Sequence, residues 1–199
     1  MEKPIVIVGV GALGSHAVLC LRNCGHPLHL IDHDRVEAKN ILGQFHTRMG
    51  LGRNKAQALQ QGLLGLFGVR VEATPHKLTQ DNVEALLGGA GLVLDCVDNA
   101  ETRQTIQEFV RVKGIPCLHG AISADGSLAR AVWDEHFQVE DEGNPGQATC
   151  EDGVNLAFHV LVGAFLAQTV QAFLKTGVKQ SSMLVPGKII PVALIPGKA

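Results

Sequence analysis

Apolar residues fall into short unbroken runs, separated by stretches in which they recur every three or four positions. The first run, "PIVIVGV" (4–10), is β-branched and continuous rather than alternating, the pattern of a strand covered on both faces. From Ala12 to Asn23 the spacing turns helical, and Gly25 and Pro27 end it. "LHLID" (28–32) predicts a second short strand, and residues 55–67 a helix. "VRVEATPH" then reads as extended and residues 80–87 as helical. "LVLDCVD" (92–98) is a third buried strand, with aspartates near its end. "TRQTIQEFVRVKG" follows as a helix, "IPCLHGAIS" as a strand with a loop and "LARAVW" as another strand. Residues 134–153 are acidic and rich in turn formers, which predicts a loop. A last helix is expected from Val154 to Lys175, and "GKIIPVALIPG" as a terminal strand.

Strands alternating with helices predict an α/β protein with a mostly parallel, doubly wound sheet and right-handed crossovers. A length of 199 residues suits one domain over 1–199 with a sizeable core. Apolar residues at 46% and a net charge of -2 exclude disorder and offer no basic surface for nucleic acid. The longest apolar stretch, "VNLAFHVLVGAFLAQTVQAFL", is broken by His and Gln and reads as a buried helix rather than a membrane span. The first strand follows no basic n-region, which argues against a signal peptide. Five scattered cysteines, an odd number, suit a reduced, cytoplasmic protein.

The first strand runs into Gly9, Gly11 and Gly14, the G-x-G-x-x-G spacing of a Rossmann-like nucleotide-binding turn. Gly9 permits the tight turn, Gly11 lets a phosphate approach the backbone, and Gly14 lets helix and strand pack closely. The helix beginning at Ala12 and Leu13 offers unpaired N–H groups to that phosphate. Asp32 ends the second strand 18 residues after Gly14, where a carboxylate bonds a ribose hydroxyl. These residues predict a ribonucleotide and leave adenosine and dinucleotide both open.

Further segments narrow the choice. "IDHDRVEAKNILGQF", the lysine of "GRNKAQAL", "DCVDNAETR" and "CEDGVNLAFHVLVGAFLAQTVQAFL" follow the glycine loop in order. Together they resemble the ThiF and MoeB family, relatives of ubiquitin-activating enzymes, over roughly residues 4–175. Family members show D-x-D-x-V-x-x-x-N-x-x-R-Q, then a lysine, then D-x-x-D-N. The resemblance implies ATP-dependent adenylation of a carboxylate, commonly the C-terminal glycine of a ubiquitin-fold protein, with release of pyrophosphate. It implies that Asp32 holds the ribose and that Asp34, Asn40 and Gln44 belong to the same nucleotide site. Lys55 then stabilises charge on the phosphates, and Asp98 binds Mg²⁺ together with phosphate oxygens and waters. Arg103, one turn into the next helix, is within reach of the phosphates or of Asp98. Each has a structural alternative: a solvated lysine at 55, a helix N-cap at 98, and a surface arginine at 103.

The pattern also breaks. The family's N-x-x-R-Q is "NILGQ" here, with Gly43 where an arginine should clamp the triphosphate. Arg48 and Arg53 are the candidate replacements from nearby backbone, neither at the matching position. No zinc is expected, because Cys20 and Cys24 lie four apart on one predicted helix without a partner pair, and the histidines form no metal-ligand pattern. Cys150, in "ATCEDGV", matches a cysteine that in some relatives accepts the activated acyl group or sulfur, although adjacent acids oppose thiolate formation. The resemblance further implies a homodimer, with the apolar 154–174 segment either at the contact or in the core. Three readings follow: an adenylyltransferase of this family, a nucleotide- or partner-binding member weakened at position 43, or a nicotinamide-dependent oxidoreductase.

Overall fold

The structure, a computed structural model, describes residues 2–123, 125–139 and 155–192. Its elements in chain order are β1 (Ile5–Val8), α1 (Ala12–Leu21), β2 (Leu28–Ile31), α2 (Asn40–Gly43), α3 (Lys55–Phe67), β3 (Glu72–Thr74), α4 (Val83–Leu87) and β4 (Leu92–Asp95). They continue with α5 (Ala100–Lys113), β5 (Cys117–Ile122), β6 (Ala129–Trp133), α6 (Leu156–Thr176), β7 (Ser182–Val185) and β8 (Lys188–Pro191). The strands form one sheet in the order β3-β2-β1-β4-β5-β6-β7-β8. The first five are parallel and the last three antiparallel. This is the mostly parallel Rossmann-like sheet expected from the sequence.

The pleat divides β1 between two cores. Ile5 and Ile7 face α1, α3 and α6, while Val6 and Val8 face α4 and α5. Covered on both sides, the strand has no polar face, hence its unbroken apolar run. Helix α3 has the bounds its sequence predicts because both ends are marked: the Asn54 side chain accepts a hydrogen bond from the Gln57 amide, and Gly68 closes the helix with φ 68°. Val8 pairs with Ile31 on one side and Asp95 on the other, so β1, β2 and β4 end level. The strand order reverses between β1 and β4, the switch point at which doubly wound sheets bind their ligands.

Helix α6 is long and apolar enough to cross a membrane, with a mean hydropathy of 1.6, yet it packs along α1. A Cβ on Gly163 would stand 2.6 Å from the His16 Cβ and 2.8 Å from the Leu13 carbonyl oxygen, so only glycine permits this approach. The long apolar stretch is therefore core, as its interrupting His and Gln suggested, with Phe158, Val162, Leu166 and Val170 buried in it.

Two segments differ from expectation. The acidic stretch predicted as a loop begins with a 3₁₀ turn, Asp134–His136, whose Asp134 is buried. Asp134 is held there by Gln107, Arg111 and His119, partners invisible in local sequence. The single terminal strand expected over 187–197 is a hairpin, because "SSMLV" pairs across a turn at Gly187 (φ 80°) with "KIIP". Residues 140–154 and 193–199 lie outside the described residues.

Candidate functional site

Gly9 has φ 84°, and a Cβ on it would stand 2.7 Å from the Cys96 carbonyl oxygen. Gly14 is tighter still, its Cβ position lying 1.9 Å from the Gly9 carbonyl oxygen. Both glycines are required by the fold. Gly11 is not: a Cβ there meets nothing nearer than the Gln44 side chain at 3.9 Å. Gly11, half-buried beside the Gln44 side chain, is the N-cap of α1 with no side chain capping the helix. The first-turn N–H groups have no intrahelical acceptor, and the helix dipole adds partial positive charge at that point.

Asp32 closes this loop from below. Its Oδ2 accepts from the Val10 amide at 2.8 Å and its Oδ1 from the Asp34 amide at 2.9 Å. Burial raises the Asp32 pKa above the usual carboxylate value, and those two hydrogen bonds only partly offset it. Asn54 donates to the Asp32 carbonyl at 2.7 Å, tying β2 to the start of α3. Lys55 is not a solvated helix lysine: it is buried, and its Nζ lies 2.9 Å from Asp34 Oδ2. Burial works to raise the Asp34 pKa, but the bond to Lys55 outweighs it and holds the carboxyl below its ordinary value. Asn40 is also buried, its Oδ1 accepting from the Glu37 amide at 2.8 Å to shape the turn into α2.

Three polar atoms beside the loop have no partner. Gln44 Oε1, His46 Nδ1 and His16 Nε2 are buried and unpaired. Burial pushes the His46 pKa down to about 4, so the ring is neutral and its Nε2 donates to the Val10 carbonyl at 2.9 Å. Ser15 accepts from the Phe45 amide at 2.9 Å, so the segment around Gly43 is fastened to α1. Gln44 belongs to the sequence motif; His46 was missed, because its role follows from a contact 36 residues away.

Asp98 lies just beyond β4, exposed, and makes no side-chain hydrogen bond or ion pair among the described residues. The N-cap of α5 is Asn99, which accepts from the Thr102 amide at 2.9 Å, so the capping alternative for Asp98 falls away. A single exposed carboxylate is a donor Mg²⁺ uses alongside phosphate oxygens and waters. Among the described residues the ligand atoms of Asp32, His33 and Asp34 also lie within 4.8 Å of one another, but Asp34 is already engaged by Lys55.

Arg103 is a correction. It faces neither the loop nor solvent: it is buried, with Nη1 3.1 Å from Asp95 Oδ2. Its Nη2 donates to the Val97 carbonyl, and to that of Gly120 at 3.3 Å. His119 completes the cluster, with Nδ1 2.7 Å from Asp95 and Nε2 3.1 Å from Asp134. Burial opposes charge on His119, but its contacts with Cys117, Asp134 and Asp95 more than compensate and push its pKa up to about 11. The cluster fixes the backbone on which Cys96, Val97 and Asp98 sit. Gly43 lies in α2; Arg48 is exposed, and Arg53 donates to Gln61 of α3. Burial pushes the Cys20, Cys96 and Cys117 thiols up, away from thiolate character. Cys150 lies outside the described residues.

The chain is similar to known proteins in sequence and in fold. The SAMP-activating enzyme E1 of Haloferax volcanii is 35% identical over 125 residues, covering 61% of this chain and 46% of that protein. The sulfur carrier protein ThiS adenylyltransferase of Escherichia coli is 35% identical over 155 residues, covering 70% and 62%. The chain spans between 28% and 62% of the length of the curated relatives it matches. Among solved structures, E. coli MccB with ATP superposes with a TM-score of 0.76 at 15% identity, over 96% of this chain and 63% of that one. E. coli TcdA, a tRNA N6-threonylcarbamoyladenosine dehydratase, superposes with a TM-score of 0.65 at 19% identity, over 89% of both chains. The model of the ThiF family matches residues 2–182. The chain belongs to the ThiF family.

Proposed function

We propose that this chain uses ATP and Mg²⁺ to adenylate the C-terminal carboxylate of a ubiquitin-fold, sulfur-carrier-like protein. The observation that carries the reading is the loop at the end of β1. There the half-buried backbone at Gly11, the uncapped N-terminus of α1 and the unpaired Gln44 Oε1 adjoin Asp32, whose carboxylate holds the Val10 amide. The names of relatives support it: a SAMP-activating enzyme, a ThiS adenylyltransferase, and a neighbour solved with ATP and, separately, with a nucleotide analogue and MccA.

In this reading the triphosphate lies on the first turn of α1 and Asp32 receives the ribose. The partner's carboxylate oxygen attacks the α-phosphorus, forming an acyl-adenylate as the bond to pyrophosphate breaks. Lys55, held by Asp34, and Asp98, through Mg²⁺, offset charge on the phosphates; such fixed groups act without reorganising during the reaction. Arg103 acts at one remove, by holding the backbone that presents Asp98. The chain works as a homodimer through the apolar residues of α6 left half-exposed, Leu156, Val160 and Leu161.

A second reading, a nucleotide-binding member that adenylates nothing, is favoured by Gly43 and by the direction of Arg53, which turns to Gln61. Calorimetric titration with ATP and Mg²⁺, followed by pyrophosphate exchange into ATP with a ubiquitin-fold carrier, separates the two. Saturable binding with exchange supports the enzyme. Binding without exchange across carriers supports the second reading, and absence of binding overturns both.

A further inference from the structure

A cleft of about 510 Å³ opens on the far side of Asn54 from the glycine loop, between the end of β2 and the first turns of α3. His33, Arg35, Arg53, Asn54, Gln57 and Gln61 line it, and no carboxylate does. Several lysines and arginines of this molecule meet an acid: Lys77 meets Glu101, Lys113 meets Glu84, and Arg111 meets Asp134. Among the described residues the two arginines of the cleft do not. Arg35 Nη1 donates to the Gly52 carbonyl at 2.6 Å and Arg53 Nη1 to Gln61 Oε1, both neutral acceptors. A guanidinium has five N–H donors in a fixed fork. Each arginine therefore keeps most of its donors, and all of its charge, for something else.

The backbone beneath them is rigid. Residues 34–36 and 52–55 form a short antiparallel ladder: Val36 donates to Arg53 at 2.9 Å, Gly52 to Val36 at 2.9 Å and Lys55 to Asp34 at 2.8 Å, with Arg35 and Asn54 bridged. The neighbouring acid, Asp34, is bound by Lys55 and its charge is met there. Behind the cleft begins α3, a helix of 13 residues whose dipole adds positive potential.

We infer that this cleft binds a multivalent oxyanion, a phosphoryl or polycarboxylate group of a small ligand, in the forks of Arg35 and Arg53. Paired guanidinium forks match such groups in geometry as well as charge. The site is separate from the proposed nucleotide loop and its failure leaves that reading intact. Asn54 is their shared wall, lining the cleft while its amide holds the Asp32 carbonyl.

Site-resolved ¹H–¹⁵N NMR tests it on the whole protein, with pyrophosphate and citrate as probes against chloride at matched ionic strength. The expected result is saturable shifts at the amides of Gly52, Arg53 and Gln57. In Arg35→Gln/Arg53→Gln these should weaken at least about tenfold, the loss of charge-assisted hydrogen bonds. Both arginines are exposed, so the variant keeps its fold, and shifts at Gly11 and Ala12 should be unchanged by it. Saturation by both probes assigns the cleft to multivalent oxyanions generally, and saturation by pyrophosphate alone assigns it to phosphoryl groups. Linear shifts that chloride reproduces, or saturation that survives in the double variant, overturn the inference.

Discussion

Two buried polar clusters flank the carboxyl ends of β1 and β4, and they differ in charge. Around Asp95, charges meet charges: Arg103 and His119 lie against its carboxylate, and His119 reaches on to Asp134. Phe137 seals the cluster, its ring 4.2 Å from that of His119. Its hydrogen bonding is incomplete, because Arg103 Nε and Nη1 have no hydrogen-bond partner among the described residues. Around Val10, whose amide Asp32 holds, Gln44, His46 and His16 each leave a buried atom without a hydrogen bond among the described residues. Buried polar atoms left unpaired cost free energy. At Asp95 direct ion pairs offset that cost; among the described residues Gln44, His46 and His16 have none.

The largest effect should come from breaking the closed cluster. Arg103→Leu takes away one of the two cations facing a fully buried carboxylate, and urea denaturation should show a loss of about 3–5 kcal/mol. A loss below about 1 kcal/mol would mean that the cluster is not the closed charge system described.

The glycines sharpen the contrast at single-atom scale. Gly14→Ala forces a methyl against the Gly9 carbonyl and should destabilise the protein by about 1–3 kcal/mol or more. Gly11→Ala should leave stability within about 0.5 kcal/mol while ATP affinity falls. Equal stability losses in the two variants would show that Gly11 serves the fold and not a ligand.

Acid and base should separate the clusters next. His46 has its pKa depressed by burial to about 4, against 6.5 for the unfolded group. Between pH 6.5 and 4 the unfolded chain binds the additional proton, so stability falls on acidification, by up to about 3 kcal/mol. His119 is the reverse: its folded pKa, raised to about 11, makes its contribution complete below pH 6.5 and lost as pH climbs toward 11. Denaturation across pH, repeated in His46→Gln, should shrink the acid limb, to which His16 and His29, their pKa values also lowered by burial, contribute, and leave the alkaline one.

The smallest structural effect belongs to Asp98→Ala. An exposed side chain without partners should change the melting free energy by no more than about 0.5 kcal/mol. Its Mg²⁺-dependent ATP binding, read by calorimetry, should nonetheless be largely lost.

What the sequence revealed follows the range of the forces involved. The strand at 5–8, the glycine loop and helix 55–67 rest on neighbouring residues, so pattern and caps located them. Lys55 and Asp98 were singled out by motif, although the motif did not reveal that Asp34 holds the lysine. Arg103 and Asp134 went astray together for one reason. Each looks solvent-facing in its own segment, and each is buried by partners from β4, β5 or α5 that only the tertiary fold brings near. His46 was passed over on the same ground.

The packing of α6 on α1 has a consequence for synthesis. The helix that carries the glycine loop is made long before the surface that covers it; one bond between them, Gln171 to Cys20, spans 151 residues. A nascent chain emerging from the ribosome therefore displays the apolar side of α1, Ala17, Val18 and Leu21, while most of the sheet is still being made. The glycine loop can acquire its final shape only once α6 has emerged, so chains released before residue 156 should remain open at that loop and bound by chaperones.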